Sequence, residues 1–297
     1  MNRVTRIKRP SPTLELYARA AAGSVLPDSL WGGGSEIPDE VLERVVVPDR
    51  ADLAEYNTVC GFRTTDVLPV TYPHVLGFPM ALQVMTGRSF PLPAIGMIHV
   101  RNAITVHQEV PADEAVTIRV YARGPYAHHR GAEVDLVTEA WHGEELLWEE
   151  ASTNLSRGST IAEDRPGAER SHGQFPVPTA KAYAREVRIA GDIGRRYASV
   201  SGDPNPIHLH ALTARAFGFK RAIAHGMWML ANSLAVAGLP YQPPYRVTTA
   251  FRQPVFLPAH ARLLTASDDG RLLVWLTGPT AETIHVSTVV ERVPAEH

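Results

Sequence analysis

The stretch Tyr197-Ala198-Ser199-Val200-Ser201-Gly202-Asp203-Pro204-Asn205-Pro206-Ile207-His208, with Phe217-Gly218-Phe219 and then Ile223-Ala224-His225-Gly226-Met227 after it, governs the reading of this 297-residue chain. Gly191 to Val200 is expected to form a short helix, which Gly202 and the two prolines stop. The loop beyond is stiff. Pro204 and Pro206 restrict the backbone, so Asp203 and His208 on either side of them are held toward one point. A carboxylate beside an imidazole orients a water molecule and lets the ring exchange a proton near neutral pH. Gly226 opens the next apolar segment. Amides at a helix start lack an intrahelical acceptor, and a glycine there lets a ligand oxygen approach closely, which makes its N–H a candidate for holding an oxyanion. Taken as an isolated pair, Asp203 and His208 fit a braced turn better, and Gly226 a close-packing position.

Outward from this run, the order of elements repeats. Tyr56-Asn57-Thr58-Val59-Cys60-Gly61 matches Tyr197 to Gly202 in pattern, and Val110-Pro111-Ala112 matches Leu257-Pro258-Ala259. Each half carries a helical segment apolar nearly all round, Val75 to Met85 and Met227 to Leu239, which must be buried on most sides. Gly77 and Pro79 fit the first of these only near its start. Trains of alternating segments follow, such as Glu133 to Leu136 and Thr283 to Val286, as in a sheet with one wet face. His142-Gly143-Glu144 and Asp268-Asp269-Gly270 supply hairpin turns. A buried helix followed by antiparallel strands, twice over, predicts an α+β protein of two side-by-side units. Gly158 to Pro178 reads as the linker between them, giving halves over 1–157 and 179–297.

The run from Tyr197 to Met227 resembles the signature of the MaoC-like, (R)-specific hydratase and dehydratase family. The resemblance implies a double hotdog, two antiparallel sheets each wrapped around a central helix and joined into one continuous sheet. It also implies reversible hydration of a trans-2-enoyl thioester of coenzyme A or acyl carrier protein, in fatty-acid metabolism, with no metal or redox cofactor. Asp203 and His208 then take the family's catalytic pair, Asn205 its supporting hydrogen-bonding position, and Gly226 the amide that binds the thioester oxygen. His210 departs from the family, where many relatives carry an acidic residue. The first half resembles the degenerate partner unit through Leu68 to His74 and Gly96 to Asn102. Phe62 stands where an aspartate is expected, and the stretch from Gly61 to His74 is shorter than that from Gly202 to His225, so one active site per chain is expected.

Composition narrows the alternatives. Lys+Arg 29 against Asp+Glu 31 leaves no basic surplus for a phosphate backbone, so no nucleic-acid partner is expected. Cys60 is the only cysteine, read as a small core residue in a reducing, cytoplasmic compartment. No apolar run reaches membrane length, and Met1 to Pro10 is expected to be a frayed terminus. His208 with His210, and His128 with His129, lack a third ligand of suitable spacing. Trp31-Gly32-Gly33-Gly34-Ser35 reads as a flexible loop, and Arg252, on a strand-like Phe251 to Val255, as an exposed strand arginine or a contact for the carrier's phosphate. An acyl thioesterase on the same fold and a non-catalytic acyl-thioester-binding protein remain rival readings. Two paired units in one chain allow a monomer that is already a pseudo-dimer, or a further homodimer.

Overall fold

The computed structural model describes residues 3–25, 36–160, 162–165, 175–179 and 181–293. Its first half runs β1 (Arg3–Arg6), α1 (Thr13–Val25), β2 (Glu40–Val46), α2 (Arg50–Cys60), α3 (Tyr72–Met85), β3 (Ile98–Val106), β4 (Val116–His128), β5 (Gly131–His142) and β6 (Glu145–Arg157). The second runs β7 (Tyr183–Ile189), α4 (Ile193–Ser201), α5 (Pro206–Leu209), α6 (Ala211–Ala216), α7 (Gly226–Ala237), β8 (Tyr245–Phe251), β9 (Ala259–Asp268), β10 (Arg271–Thr277) and β11 (Ile284–Arg292).

The eleven strands form one sheet in the order β1-β2-β4-β5-β6-β3-β8-β11-β10-β9-β7. Setting β1 aside, the first half contributes β2-β4-β5-β6-β3 and the second, counted inward from the opposite edge, β7-β9-β10-β11-β8. Each strand therefore has a counterpart at the mirrored place, which bears out the repeat seen in Tyr56–Gly61 and Tyr197–Gly202. The halves join where β3 pairs antiparallel with β8, from Arg101 opposite Ala250 to Val106 opposite Tyr245.

Helices α3 and α7 supply the apolar centre. α3 packs on β4 and β5, and α7 on β9, β10 and β11. Met80, Leu230 and Leu234 are fully buried in a core that runs through both halves. The first helix starts at Tyr72 rather than Val75 and keeps Pro79 in its interior. The hydrogen bond lost there is outweighed by burial of the adjacent Met80, Ala81 and Leu82, since packing decides what propensity only biases. Gly77 answers to packing as well: a Cβ on it would lie 2.6 Å from Thr138 Cγ2 on β5. The two halves also meet through helices. Tyr56 on α2 faces Tyr197 on α4 at 6.2 Å between rings, and Trp228 Nε1 on α7 donates to the Val59 carbonyl at 3.0 Å. Cys60 is buried, and desolvation pushes its thiol up to about 12, in keeping with a core role.

Three expectations need correction. The N-terminal segment is not frayed throughout, because Arg3–Arg6 pairs parallel with Glu40–Glu43 at the sheet edge. The alternating strands do not leave one face wet at β5 and β10. Glu133 and Asp135 are buried under Arg165, which bonds Asp135 Oδ2 at 2.5 Å and Glu133 Oε2 at 3.3 Å, with Arg101 also on Glu133. On β10, Val274 and Leu276 join the main core, while Leu273 and Trp275 pack on the opposite face, where Trp275 Nε1 donates to the Pro176 carbonyl. The described parts of the expected linker thus cover the outer face of the sheet. Arg252 lies beyond the end of β8, with Nε on Ser287 Oγ at 3.1 Å. The hairpins at Gly143 and Asp269-Gly270 fall where the turn residues place them, all three at positive φ. Trp31 to Ser35 lies outside the described residues. Among the described residues, no helix is long and apolar enough to cross a membrane.

Candidate active site

Helix α4 ends on Gly202 in the left-handed region, φ 68°, as α2 ends on Gly61 at φ 88°. Here the halves diverge. After Gly61 the chain reaches α3 directly, whereas after Gly202 it inserts the Asp-Pro-Asn-Pro loop, α5 and α6 before α7. Asp203 Oδ1 accepts the Asn205 amide at 3.1 Å, and Asn205 Oδ1 accepts the Ile207 amide to cap α5. The supporting position expected of Asn205 is thus used within the loop itself, to start the turn that carries His208.

His208 is held from two sides. Gly194 in the first turn of α4 abuts it so closely that a Cβ there would lie 1.9 Å from the His208 carbonyl oxygen. Its Nδ1 lies 2.8 Å from the Ile223 carbonyl, an acceptor, so Nδ1 carries the proton and Nε2 is left unprotonated in the neutral ring. Ile223 is in turn fixed by its amide on the Ile207 carbonyl and by Ala224 N–H on the Val255 carbonyl. We expect Gly194→Ala to destabilise the protein by about 1–3 kcal/mol, the usual cost of forcing atoms into a packed site. An unchanged urea midpoint would mean that α4 and α5 do not touch in this way.

The loop brings Asp203, His208 and His225 together. Their nearest ligand atoms all lie within 4.8 Å of one another. The rings of His208 and His225 stack at 3.7 Å, and His225 Nε2–H donates to the Asp203 backbone carbonyl at 3.1 Å. Asp203 Oδ1 takes a second donor, the Tyr17 hydroxyl, at 2.5 Å. The Asp203 side chain remains 19% exposed, so a small oxygen nucleophile has access to it. An Asp-His-His donor set is also one that a divalent transition metal would accept.

Burial pushes the Asp203 carboxyl up, but His225, His208 and the Tyr17 hydroxyl outweigh it and hold the group below its ordinary value. Burial holds His208 down against the attraction of Asp203, and takes His225, beside His208, to about 3. At neutral pH the site is therefore a carboxylate facing two neutral imidazoles. That is an ionisation state fit for a general base.

Gly226 is the first residue of α7, so its amide is among the first-turn groups that no intrahelical carbonyl takes. Its Cα face meets Phe251, whose ring would lie 3.3 Å from a Cβ, a tight contact that the ring would have to yield to.

Two neighbours were not among the expected site residues. One is Tyr17, on a segment with no local pattern. The other is a buried cluster in the first half. His74 Nδ1 sits 2.8 Å from Glu150 Oε2, Asn102 Nδ2 donates to Glu150 Oε1 at 2.5 Å, and His99 Nε2 meets Ser152 Oγ at 3.0 Å. The period of two from Trp148 places Glu150 and Ser152 on the core side of β6, and His74, His99 and Asn102 belong to the two stretches that resemble the partner unit. His99 is held down to about 4 by burial and by His74, and its ring lies 4.6 Å from Phe251. The cluster therefore reaches the ring that covers Gly226.

Known proteins resemble this chain over most of its length. A family model described as "MaoC like domain" matches residues 176–271, which include the whole Asp203–Gly226 region. The 3-hydroxyacyl-thioester dehydratase X of Mycobacterium tuberculosis is 37% identical over 262 residues, 86% of this chain and 90% of that protein. A crystal structure of HtdX from Mycobacterium tuberculosis superposes with a TM-score of 0.72 at 34% identity, covering 85% of this chain and 99% of that one. A MaoC-like dehydratase from Phytophthora capsici, at 14% identity, superposes with a TM-score of 0.69 over 85% of this chain and 95% of its own, a likeness of fold. The chain belongs to the MaoC-like dehydratase family.

Proposed function

We propose that this protein is a hydro-lyase that interconverts a trans-2-enoyl thioester and the (R)-3-hydroxyacyl thioester in fatty-acid metabolism. The observation that carries the reading is the tautomer of His208: Nδ1 is committed to the Ile223 carbonyl, which leaves Nε2 as the basic nitrogen, on a ring whose nearest ligand atom lies within 4.8 Å of an ionised Asp203. In dehydration His208 Nε2 removes the proton next to the thioester carbonyl, whose oxygen is held by the Gly226 amide as charge develops. The imidazolium so formed is stabilised by Asp203, which holds the 3-hydroxyl and helps pass the proton to it as the C3–O bond breaks. One proton leaves carbon and one reaches the departing hydroxyl, so water forms and the pair returns to its starting state. Hydration follows the same steps in reverse, and no resident cofactor enters either direction.

In the same reading, residues 1–157 form a degenerate hotdog, 158–178 the linker and 179–297 the catalytic hotdog. The inert half widens the space for the acyl chain. The acyl carrier is coenzyme A or acyl carrier protein, and the chain acts as a pseudo-dimeric monomer or a homodimer. A cytoplasmic setting fits the single buried thiol.

Crotonyl-CoA and longer enoyl-CoA substrates test the proposal through loss of absorbance of the conjugated thioester. Release of free thiol without hydration would favour a thioesterase, and binding without turnover a non-catalytic protein. The pH profile has a defined sign. Because burial holds His208 below its ordinary 6.5, the base form persists at neutral pH, and kcat/KM is expected to stay level there and fall only on the acid side of 6.5. An acid limb centred above 6.5 would contradict His208 as the base.

A further inference from the structure

The N-terminal segment follows an unusual route. β1 is fastened to the outer edge of the first half through β2, and the chain then crosses to α1, where the Ser11 amide donates to Gln83 Oε1 on α3 at 3.2 Å and Leu16 is fully buried. One residue on, Tyr17 reaches the second half and donates its hydroxyl to Asp203 Oδ1 at 2.5 Å, a contact spanning 186 positions of sequence. It lies outside residues 176–271, so the catalytic loop region does not contain it.

The bonding of the Asp203 carboxylate shows what this contact does. Oδ1 is taken by two donors, Tyr17 O–H and Asn205 N–H. Oδ2 faces His225 Nε2 at 3.7 Å, beyond hydrogen-bond length, and that nitrogen already donates to the Asp203 backbone carbonyl. One oxygen is thus saturated by protein, and the other, among the described residues, accepts no hydrogen bond and is open to a reacting oxygen. With the loop amide alone, the carboxylate is held at a single point and turns about Cβ–Cγ. A second donor from a separately anchored helix removes that freedom. Burial and the neighbouring carboxylate keep the Tyr17 phenol protonated, well above its ordinary value, so it remains a donor throughout the working pH range.

We propose that Tyr17 is a positioning residue of the active site, supplied by the N-terminal strap, which pins Asp203 Oδ1 so that Oδ2 alone meets the substrate hydroxyl or water. The inference rests on the hydratase reading of the site and deepens it. Its test is full-length Tyr17→Phe, which keeps the ring and removes only the hydroxyl. In crotonyl-CoA hydration kcat is expected to fall at least tenfold with KM within about twofold, the pattern of an interaction that matters in the transition state rather than in binding. In an Asp203→Asn background the same change is expected to have almost no further effect, because the group it positions is already disabled. Wild-type or higher kcat in Tyr17→Phe would overturn the inference and make Tyr17 a plug in the site; so would an equal loss in both backgrounds. A readout free of turnover separates this from failure of the functional reading. By carboxyl-carbon NMR, Asp203 should titrate at higher pH in Tyr17→Phe than in wild type. If the wild type hydrates nothing, the hydratase reading falls, and an unshifted titration would then refute the Tyr17 contact on its own.

Discussion

His208→Ala protein is expected to hydrate enoyl-CoA about 10²–10⁴-fold more slowly than wild type, the range that a positioned general base commonly contributes. The loss should appear in kcat, since the ring acts on a proton and has no part in binding the carrier. The fold should survive. Removing the ring takes away one hydrogen bond, to Ile223, typically worth about 1 kcal/mol, and the stack on His225, but leaves the amide contacts of Ile223 and Ala224 in place. Asp203→Ala is expected to lose a comparable factor. Asp203→Asn is the sharper variant, because it keeps Oδ1 as an acceptor for Tyr17 and Asn205 while abolishing the charge that stabilises the imidazolium. Rates of either Asp203 variant near wild type, in protein with an unchanged melting temperature, would remove the residue from the mechanism.

Glu150→Ala is expected to destabilise the protein by about 3–5 kcal/mol, the usual cost of leaving one member of a buried ion pair alone. Glu150 has no exposed side-chain surface and accepts from both His74 and Asn102. Burial pushes its carboxyl up, yet His74 and the hydrogen bonds prevail and hold it below the ordinary 4.5. Burial likewise presses His74 down, and Glu150 more than offsets it, so His74 stays above 6.5. The pH signs follow from these directions. Glu150's contribution is present above pH 4.5 and lost as pH falls through its lowered value; His74's is present below 6.5 and lost as pH rises through its raised one. The pair therefore contributes most between about pH 4.5 and 6.5. A double change, His74→Leu with Glu150→Leu, is expected to recover part of the single-variant loss, because the two apolar groups need no partner and only the Asn102 amide, orphaned in both variants, still lacks its acceptor. Urea midpoints of the three proteins decide it: a double variant less stable than Glu150→Ala would refute the buried-pair account.

Local chemistry made part of this molecule legible in one dimension. Gly202 between a helical stretch and two prolines marks the turn that sets Asp203 and His208 apart; Asp203 stands on the loop, while His208 is carried by the short helix α5 that Pro206 opens. The repeated Tyr-to-Gly helices and the two all-apolar helices became mirrored positions around one sheet. Polar residues on alternating strands misled, because alternation names the face on which a side chain lies and not what covers that face. Glu133 and Asp135 look like solvent residues until Arg165, from the segment after β6, closes over them. Glu150 was hidden in the same way, its partner His74 being 76 positions away.

The sequence by itself determined the class of the fold, the duplication, the loop with its Asp-His pair and the absence of a matching loop in the first half. The fold class and the loop rest on backbone restrictions and periodicities that act within a few residues, and the duplication and the missing loop on setting the two halves side by side. The tertiary structure decided which nitrogen of His208 is basic, that His225 stacks against it, that Tyr17 bonds Asp203, and that an ion pair lies buried beside the site. Each of those depends on groups brought together from distant parts of the chain, where burial and charge act through space and leave no trace in local spacing.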